Sequence, residues 1–375
     1  MKIITGSLQY SPVYKSHSFA FGNQCEKLGL DVKYIFNKNY KWMIAKEQEK
    51  KCYFIDNSSN FLSLALDPIN IEIRIKLRDL LSKYQPDIVY LHNINPFLNL
   101  YVANIVRKYG GRFIQHVHEP YVEDKSVYGG LHQYWLIFYE YLQNKLMRST
   151  DIAIVSSLEA ERLFKERYSD FSGELMNIPL MYEDFYGQVF NNDEKRKYIT
   201  FIGPPSKAKG WGSFLQIAEF SRMNELIFKF LVISRYPIEE GAFNGCDNIE
   251  LYYKPRISDF EIGNLLSRSL MTLTPYRTAR QSSVALTSYM YGTPVLSTSI
   301  GGLDEMVIHK KTGYTVPIDS RIEDWISGIE FIIENFDFLS NNSRSFFMNE
   351  CSEVNWQSFI KYMISVLEGH QNENP

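Results

Sequence analysis

The sequence predicts an α/β protein with two parallel-sheet halves. Strand–loop–helix–strand units recur in both halves, 375 residues suffice for two domains with a core each, and a polar run over 188–197 divides them. The first domain is placed at 1–190 with a returning helix at 355–370, and the second at 196–350.

MKIITGS (1–7) reads as a strand opening at Gly6 into a loop that holds Pro12, Lys15, Ser16 and His17. A helix over 18–28 stops at Gly29, and LDVKYIF (30–36) is the next strand. GxGxxG is missing, so this is not a dinucleotide fingerprint. Residues 37–69 give no assignable element. A helix over 71–84 precedes a strand over 87–92, and a helix over 98–109 precedes the strand RFIQHVHEP (112–120). Alternation puts His116 and His118 on one face, at the strand end where open α/β sheets bind ligands. No third ligand follows at a metal spacing. One histidine is read as structural, and His118, nearest the loop, as functional.

HQYWLIFYEYLQNKLMRS (132–149) is a helix whose apolar residues go most of the way round, which predicts burial. Tyr134, Trp135, Phe138 and Tyr141 with Lys145 and Arg148 suit a membrane interface as the alternative. DIAIVSS (151–157), a helix from Leu158 and the strand ELMNIPLM (174–181) complete the domain.

The second half opens with the strand KYITFIG and a loop carrying Gly203, Lys207, Lys209 and Gly210 before a helix near Trp211. A lysine beside a glycine at a helix start suits a phosphate, although GxxxxGK[ST] is absent. Strands IFKFLVIS and NIELYYK follow, then a helix whose cap Ser258 forms a capping box with Glu261. SLMTLTP (269–275) is a buried strand. Beyond it come Arg277, Arg280, Gln281, Ser282 and Ser283, a helix over 284–291, Gly292, the strand PVLSTS and Gly301-Gly302. A helix N-terminus offers N–H groups to an anion, and a capping serine beside two arginines suits a phosphate or diphosphate. The plain alternative is a capped helix with solvated arginines.

A net charge of −3 argues against general nucleic-acid binding. Cys25, Cys52, Cys246 and Cys351 form no CxxC pair, which fits a reducing compartment. No apolar run is long enough to span a bilayer, and the N-terminus has no signal-like segment, so the expected location is cytoplasmic. Tyrosine (26) and phenylalanine (25) are abundant enough to supply sugar- or lipid-facing rings besides the core.

Taken in order, IGPPSKAKG, NIELYYKPRISDFEIGNLLSRS, TPYR…TSYMYGTPVLSTSIGGLDEMVIHKKTGYTVP, the strand IVSS, the VH-acidic end at Val117-His118-Glu119 and the final helix NWQSFIKYMISVLE resemble the retaining glycosyltransferases of family four. The resemblance covers nearly the whole chain. It implies a GT-B fold, with two Rossmann-like domains facing across a cleft and a C-terminal helix crossing back to the first. The family's two donor-site glutamates fall on Ala279 and Thr287, and its arginine after Gly203 is Pro204. PYRTARQSS is similar to a subgroup motif, P-Y-R-x-A-x-Q-S-G.

The resemblance implies transfer of a sugar from a nucleotide-sugar to a saccharide or polyprenyl-linked saccharide, with retention, in cell-surface polysaccharide synthesis (O-antigen, capsule or exopolysaccharide). His118, Lys209 and Arg277 are the expected catalytic residues. The donor side is expected to comprise Gly203, Lys207, Arg280, Gln281, Ser282, Ser283, Thr287, Gly301, Gly302 and Glu305. Gly6, Lys15, His17 and Glu119 are expected on the acceptor side. No DxD occurs, so neither a metal nor any cofactor beyond the donor substrate is expected. The partners are then the donor and acceptor, not nucleic acid, with peripheral contact at the inner face of the plasma membrane. Two alternatives are a GT-B enzyme acting on a nucleotide-sugar without an acceptor, with Glu119 as its carboxylate, and a non-catalytic GT-B partner subunit.

Overall fold

In the computed structural model, which describes residues 1–58, 67, 70–121, 131–188, 195–243 and 245–372, the chain divides into two units. One comprises Met1–Glu183 with Ser352–Pro375, the other Asp184–Cys351.

The first unit runs β1 (Lys2–Ser7), α1 (Val13–Lys27), β2 (Asp31–Asn37), α2 (Lys46–Glu49), β3 (Cys52–Ile55), α3 (Ile71–Tyr84), β4 (Ile88–Leu91), α4 (Pro96–Lys108), β5 (Arg112–His116), α5 (Leu131–Met147), β6 (Ile152–Val155), α6 (Leu158–Arg167) and β7 (Glu174–Asn177). Its strands pair in parallel in the order β3-β2-β1-β4-β5-β6-β7. β4 and β6 (IVYL and IAIV) are buried at every position, as a sheet covered on both faces requires. Alternate strand residues feed two cores. Ile4, Val89 and Phe113 pack with α3, α4, α5 and α6, whereas Ile3, Ile88, Tyr90 and Ile114 pack with α1 and the last helix.

The second unit runs β8 (Tyr198–Ile202), α7 (Trp211–Met223), β9 (Lys229–Ser234), β10 (Ile249–Tyr253), α8 (Asp259–Ser267), β11 (Ser269–Thr274), α9 (Ser283–Met290), β12 (Val295–Ser299), α10 (Gly302–Met306), β13 (Gly313–Pro317), α11 (Ile322–Glu334) and α12 (Phe336–Phe346). Its parallel order is β10-β9-β8-β11-β12-β13. Both sheets therefore reverse direction of growth between their first and fourth strands. The last helix, α13 (Trp356–Asn372), buries Trp356, Ile360 and Met363 in the first unit.

The α/β architecture of two parallel sheets agrees with the sequence reading, and the Ser258–Glu261 capping box is present. Four local readings change. Helix α1 starts at Val13, not near Ser18, because Pro12 already holds helical angles (φ −50, ψ −34). Lys15, Ser16 and His17 are thus helical and buried rather than in a loop. Strand β3 lies inside the stretch left unassigned; it is a four-residue edge strand, too short for a period to show.

Helix α5 is not buried all round. Tyr134, Ile137, Phe138 and Tyr141 are 43–72% exposed, whereas Glu140, Gln143, Leu146 and Met147 face inward. Aromatic residues on both faces mask the amphipathic period in the sequence. Among the described residues no helix is long and apolar enough to cross a membrane.

Of the polar run over 188–197, residues 189–194 lie outside the described residues. Arg196 is no solvated linker residue. Its guanidinium donates to the carbonyls of Leu266, Ser269 and Tyr291 and to Thr293 Oγ1, at 2.7–3.1 Å. The Leu266 and Tyr291 carbonyls end α8 and α9, where free carbonyls need donors. Arg196→Ala removes these four donations; the Leu266 carbonyl keeps another donor, Thr293 Oγ1. The substitution is expected to destabilise the protein by about 3 kcal/mol. Denaturant unfolding measures this; a midpoint unchanged from wild type would refute the clamp.

Candidate functional site

In the second unit, three loops beyond the carboxyl ends of strands meet: 203–210 after β8, 275–282 after β11 and 300–302 after β12. Close backbone approach fixes them. A Cβ on Gly210 would lie 1.7 Å from the Pro275 carbonyl oxygen, and one on Gly302 1.7 Å from that of Arg280. Gly210 also has φ +68, so both steric room and conformation demand glycine. Hydrogen bonds reinforce the seams: Arg277 N–H donates to Ala208 O at 3.0 Å, and Gly302 N–H to Ala279 O at 3.2 Å. Tyr276, Ala279 and Leu303 form a small buried cluster beneath the loops.

On this frame the Lys209 ammonium sits 3.8 Å from the centre of the Tyr276 ring. Ser282 caps α9, its Oγ accepting from Ala285 N–H at 3.2 Å, so this hydroxyl orders the N-terminal turn that Ser283 begins. Thr287 donates its hydroxyl back to the Ser283 carbonyl at 2.8 Å. Arg280 and Gln281 are half-buried within the 275–282 loop, and Glu305 is exposed on α10. Arg277 is exposed and pairs with Asp319 at 3.8 Å, and Lys207 is exposed on its loop. Gly203, just past β8, and Gly301 (φ +44) complete the group. The donor-side residues expected from the sequence therefore lie within or beside these three loops. Tyr276 was not singled out there, although it stands inside the PYR run.

In the first unit, the carboxyl ends of β1, β4 and β5 gather four imidazoles. His116 stacks on His118 with centroids 3.9 Å apart, and His17 lies within 6.4 Å of His92, His116 and His118. His116 Nδ1 and Nε2 are engaged by Tyr90 Oη at 3.0 Å and Ser156 Oγ at 2.8 Å. His92 Nε2 meets Thr5 Oγ1 at 2.9 Å, and His17 Nδ1 donates to Met181 O at 3.0 Å. Burial pushes His17 down to about 3, with the neighbouring His118 adding to the shift. Burial likewise holds His92 and His116 well below the usual imidazole range.

His118 is set apart. It is half-buried, and its Nε2 lies 2.6 Å from the His92 carbonyl. A carbonyl only accepts, so Nε2 carries the proton in this bond. It lines a cavity of about 330 Å³ together with Tyr14, Glu119, Tyr139 and Gln143. The Tyr14 ring lies 4.8 Å from that of His118, and burial raises the Tyr14 phenol, with the Glu119 charge adding to it. Of the acceptor-side residues expected, Glu119 lines this cavity. Lys15 is buried beside Glu183 at 3.9 Å, His17 is in the imidazole cluster, and Gly6 is buried at the end of β1. The sequence reading missed Tyr14 and Tyr139; each lies on a helix whose register was needed to aim it. Among the described residues no three histidines, cysteines or carboxylates are arranged to hold a metal ion.

Residues 17–172 match the family model for glycosyltransferase family 4, and residues 196–335 that for glycosyl transferases group 1. No curated protein matches the sequence. Among solved structures, sucrose-phosphate synthase from Thermosynechococcus elongatus is similar with TM-score 0.71 and 14% identity over 99% of this chain and 100% of that one. A glycosyltransferase from Rickettsia africae gives TM-score 0.71 and 14% identity over 98% of each chain. Anabaena HepE, solved with UDP-glucose, gives TM-score 0.71 and 12% identity over 97% and 99%. At such identities the likeness is one of fold.

The imidazole cluster makes stability depend on pH. In the unfolded chain each histidine titrates near 6.5, whereas His17, His92 and His116 are held neutral when folded. Below about pH 6.5 the unfolded state takes up the extra protons, so stability falls by about 1.4 kcal/mol per pH unit for each imidazole. Denaturation midpoints from pH 7.5 to 5.5 should decline, and His116→Gln should flatten the slope. A flat wild-type profile would show that the cluster does not titrate this way.

Proposed function

We propose that this chain, a glycosyltransferase of the GT-B type, moves a sugar from a nucleoside-diphosphate sugar to a saccharide acceptor with retention of configuration. The observation that carries the donor assignment is the seating of Lys209 among three backbone-crowded loops at the start of α9. Preorganised cations and N–H groups there oppose the charge that grows on the departing diphosphate. The bond from the anomeric carbon to the phosphate oxygen breaks. The acceptor oxygen bonds to that carbon on the same face, and its proton passes to the leaving phosphate.

Lys209, with Arg277 or Arg280, stabilises the leaving group, and no metal is required. His118, lining the cavity of the first unit, hydrogen-bonds a sugar hydroxyl and is not a nucleophile. Gln281, Ser282 and the Ser283 N–H take the place of the family's first glutamate segment. Thr287 keeps an acceptor lone pair for ribose while its proton serves the helix. UDP is the nucleotide to try first, since the Anabaena neighbour was solved with UDP-glucose.

The tyrosine-lined cavity beside His118 and Glu119 takes the saccharide acceptor, its rings offering flat apolar faces to sugar rings. The acceptor is read as polyprenyl-linked, within cell-surface polysaccharide synthesis at the inner face of the plasma membrane. Helix α5 supports this reading: it lines the cavity with Tyr139 and Gln143 and turns Tyr134, Ile137, Phe138 and Tyr141 outward. Lys145 stands 4.8 Å over the Tyr141 ring, and exposed Arg148 follows, so the stripe ends in cations that suit anionic headgroups. Vesicles containing anionic lipid should carry the protein upward in a flotation gradient, and Ile137→Ser with Phe138→Ser should abolish this. Equal flotation of the double variant would remove the stripe from the account.

For the donor side, UDP, GDP, ADP, CMP and dTDP are compared by thermal shift. One nucleotide should raise the wild-type midpoint, and Lys209→Ala should remove that rise. Buried Ala279 and helix-bonded Thr287, where the family has carboxylates, favour a second reading, a non-catalytic GT-B partner subunit. No shift from any nucleotide would select it.

A further inference from the structure

We propose that Tyr276 is a positioning residue that holds the Lys209 ammonium on its ring face, in place of a carboxylate counter-ion, so that the full positive charge stays available to the diphosphate. This rests on the donor-site reading above and adds a residue to it.

Lysine is a poor fixed electrode by itself, a point charge on a four-carbon stem with many rotamers. Something must aim it. Among the described residues the Lys209 ammonium has no carboxylate within ion-pair distance. What it has is the Tyr276 ring, 3.8 Å from nitrogen to centroid, well inside the range of a cation–π contact. That ring cannot swing away. It is fully buried, packed with Ala279, Leu303 and Ile300, and its own carbonyl accepts the Thr298 hydroxyl.

The neighbour Ala279 gives the contact its meaning. Ala279 packs in the Tyr276 cluster and brings no charge to it. An alanine leaves the ring quadrupole as the holder, which attracts the cation without cancelling its charge. The Tyr276 hydroxyl is buried and has no hydrogen-bond partner among the described residues.

The test uses UDP as the probe and the full chain, with affinity measured by calorimetry. Tyr276→Leu should weaken UDP binding about tenfold, the range of a desolvated cation–π contact. Tyr276→Phe, which keeps the ring, should restore it. In a Lys209→Ala background, Tyr276→Leu should add no further loss, since the two residues act as one unit. Independently of folding of the leucine variant, protons on Lys209 Cε, labelled with carbon-13 and assigned by Lys209→Ala, should resonate upfield in the wild type from the ring current.

An unshifted Lys209 signal, or a phenylalanine variant as weak as the leucine one, would overturn the proposal. If Lys209→Ala abolishes UDP binding while Tyr276→Leu does not change it, only the role of Tyr276 falls. If Lys209→Ala binds UDP as the wild type does, the donor-site reading itself falls.

Discussion

Everything chemical in this chain hangs on the point where a parallel sheet reverses its direction of growth. In each unit the first three strands run outward one way and the fourth returns to the other side of the first, giving β2-β1-β4 and β9-β8-β11. The loops leaving the two central strands must diverge there, which opens a crevice beyond the carboxyl ends. The imidazole cluster and its cavity occupy that place in the first unit. Lys209 and the loop 275–282 occupy it in the second.

A crevice alone would hold nothing in place. In the second unit, glycine lets backbones touch where side chains would keep them apart, at Gly210 against Pro275 and Gly302 against Arg280. Three loops become one rigid frame, and a flexible lysine gains a fixed place on it. In the first unit the same end is held by hydrogen bonds among neutral rings, with His116 engaged at both nitrogens and the His92 carbonyl accepting from His118 Nε2. Burial keeps these rings uncharged. The first unit thus presents a neutral hydrogen-bonding wall, and the second a cationic frame.

Much of this was legible in the sequence because its signals are local. Continuous apolar strands, the capping box at Ser258, and glycines at loop positions 203, 210, 301 and 302 gave the parallel sheets and the loops after β8, β11 and β12. What was hidden depends on tertiary packing. His17 and Lys15 look like loop residues because polar side chains seldom enter a core, yet α1 carries them inside, where His17 finds the Met181 carbonyl. Arg196 looks like linker charge, yet it closes two helix ends. The outward stripe of α5 was obscured by Trp135 and Tyr139, aromatic residues that are not part of it. Tyr276 could not be chosen from sequence, because its importance is a distance to Lys209 across 67 positions of chain.

The central claim is that the second unit holds the nucleotide in the frame made by the loops after β8, β11 and β12. Hydrogen–deuterium exchange with and without saturating UDP tests it most directly. Slowed exchange over 203–210, 275–283 and 300–305 is the expected result, with the strands beneath unchanged. Protection confined to the first unit, or none in these loops when binding is established by calorimetry, would contradict it.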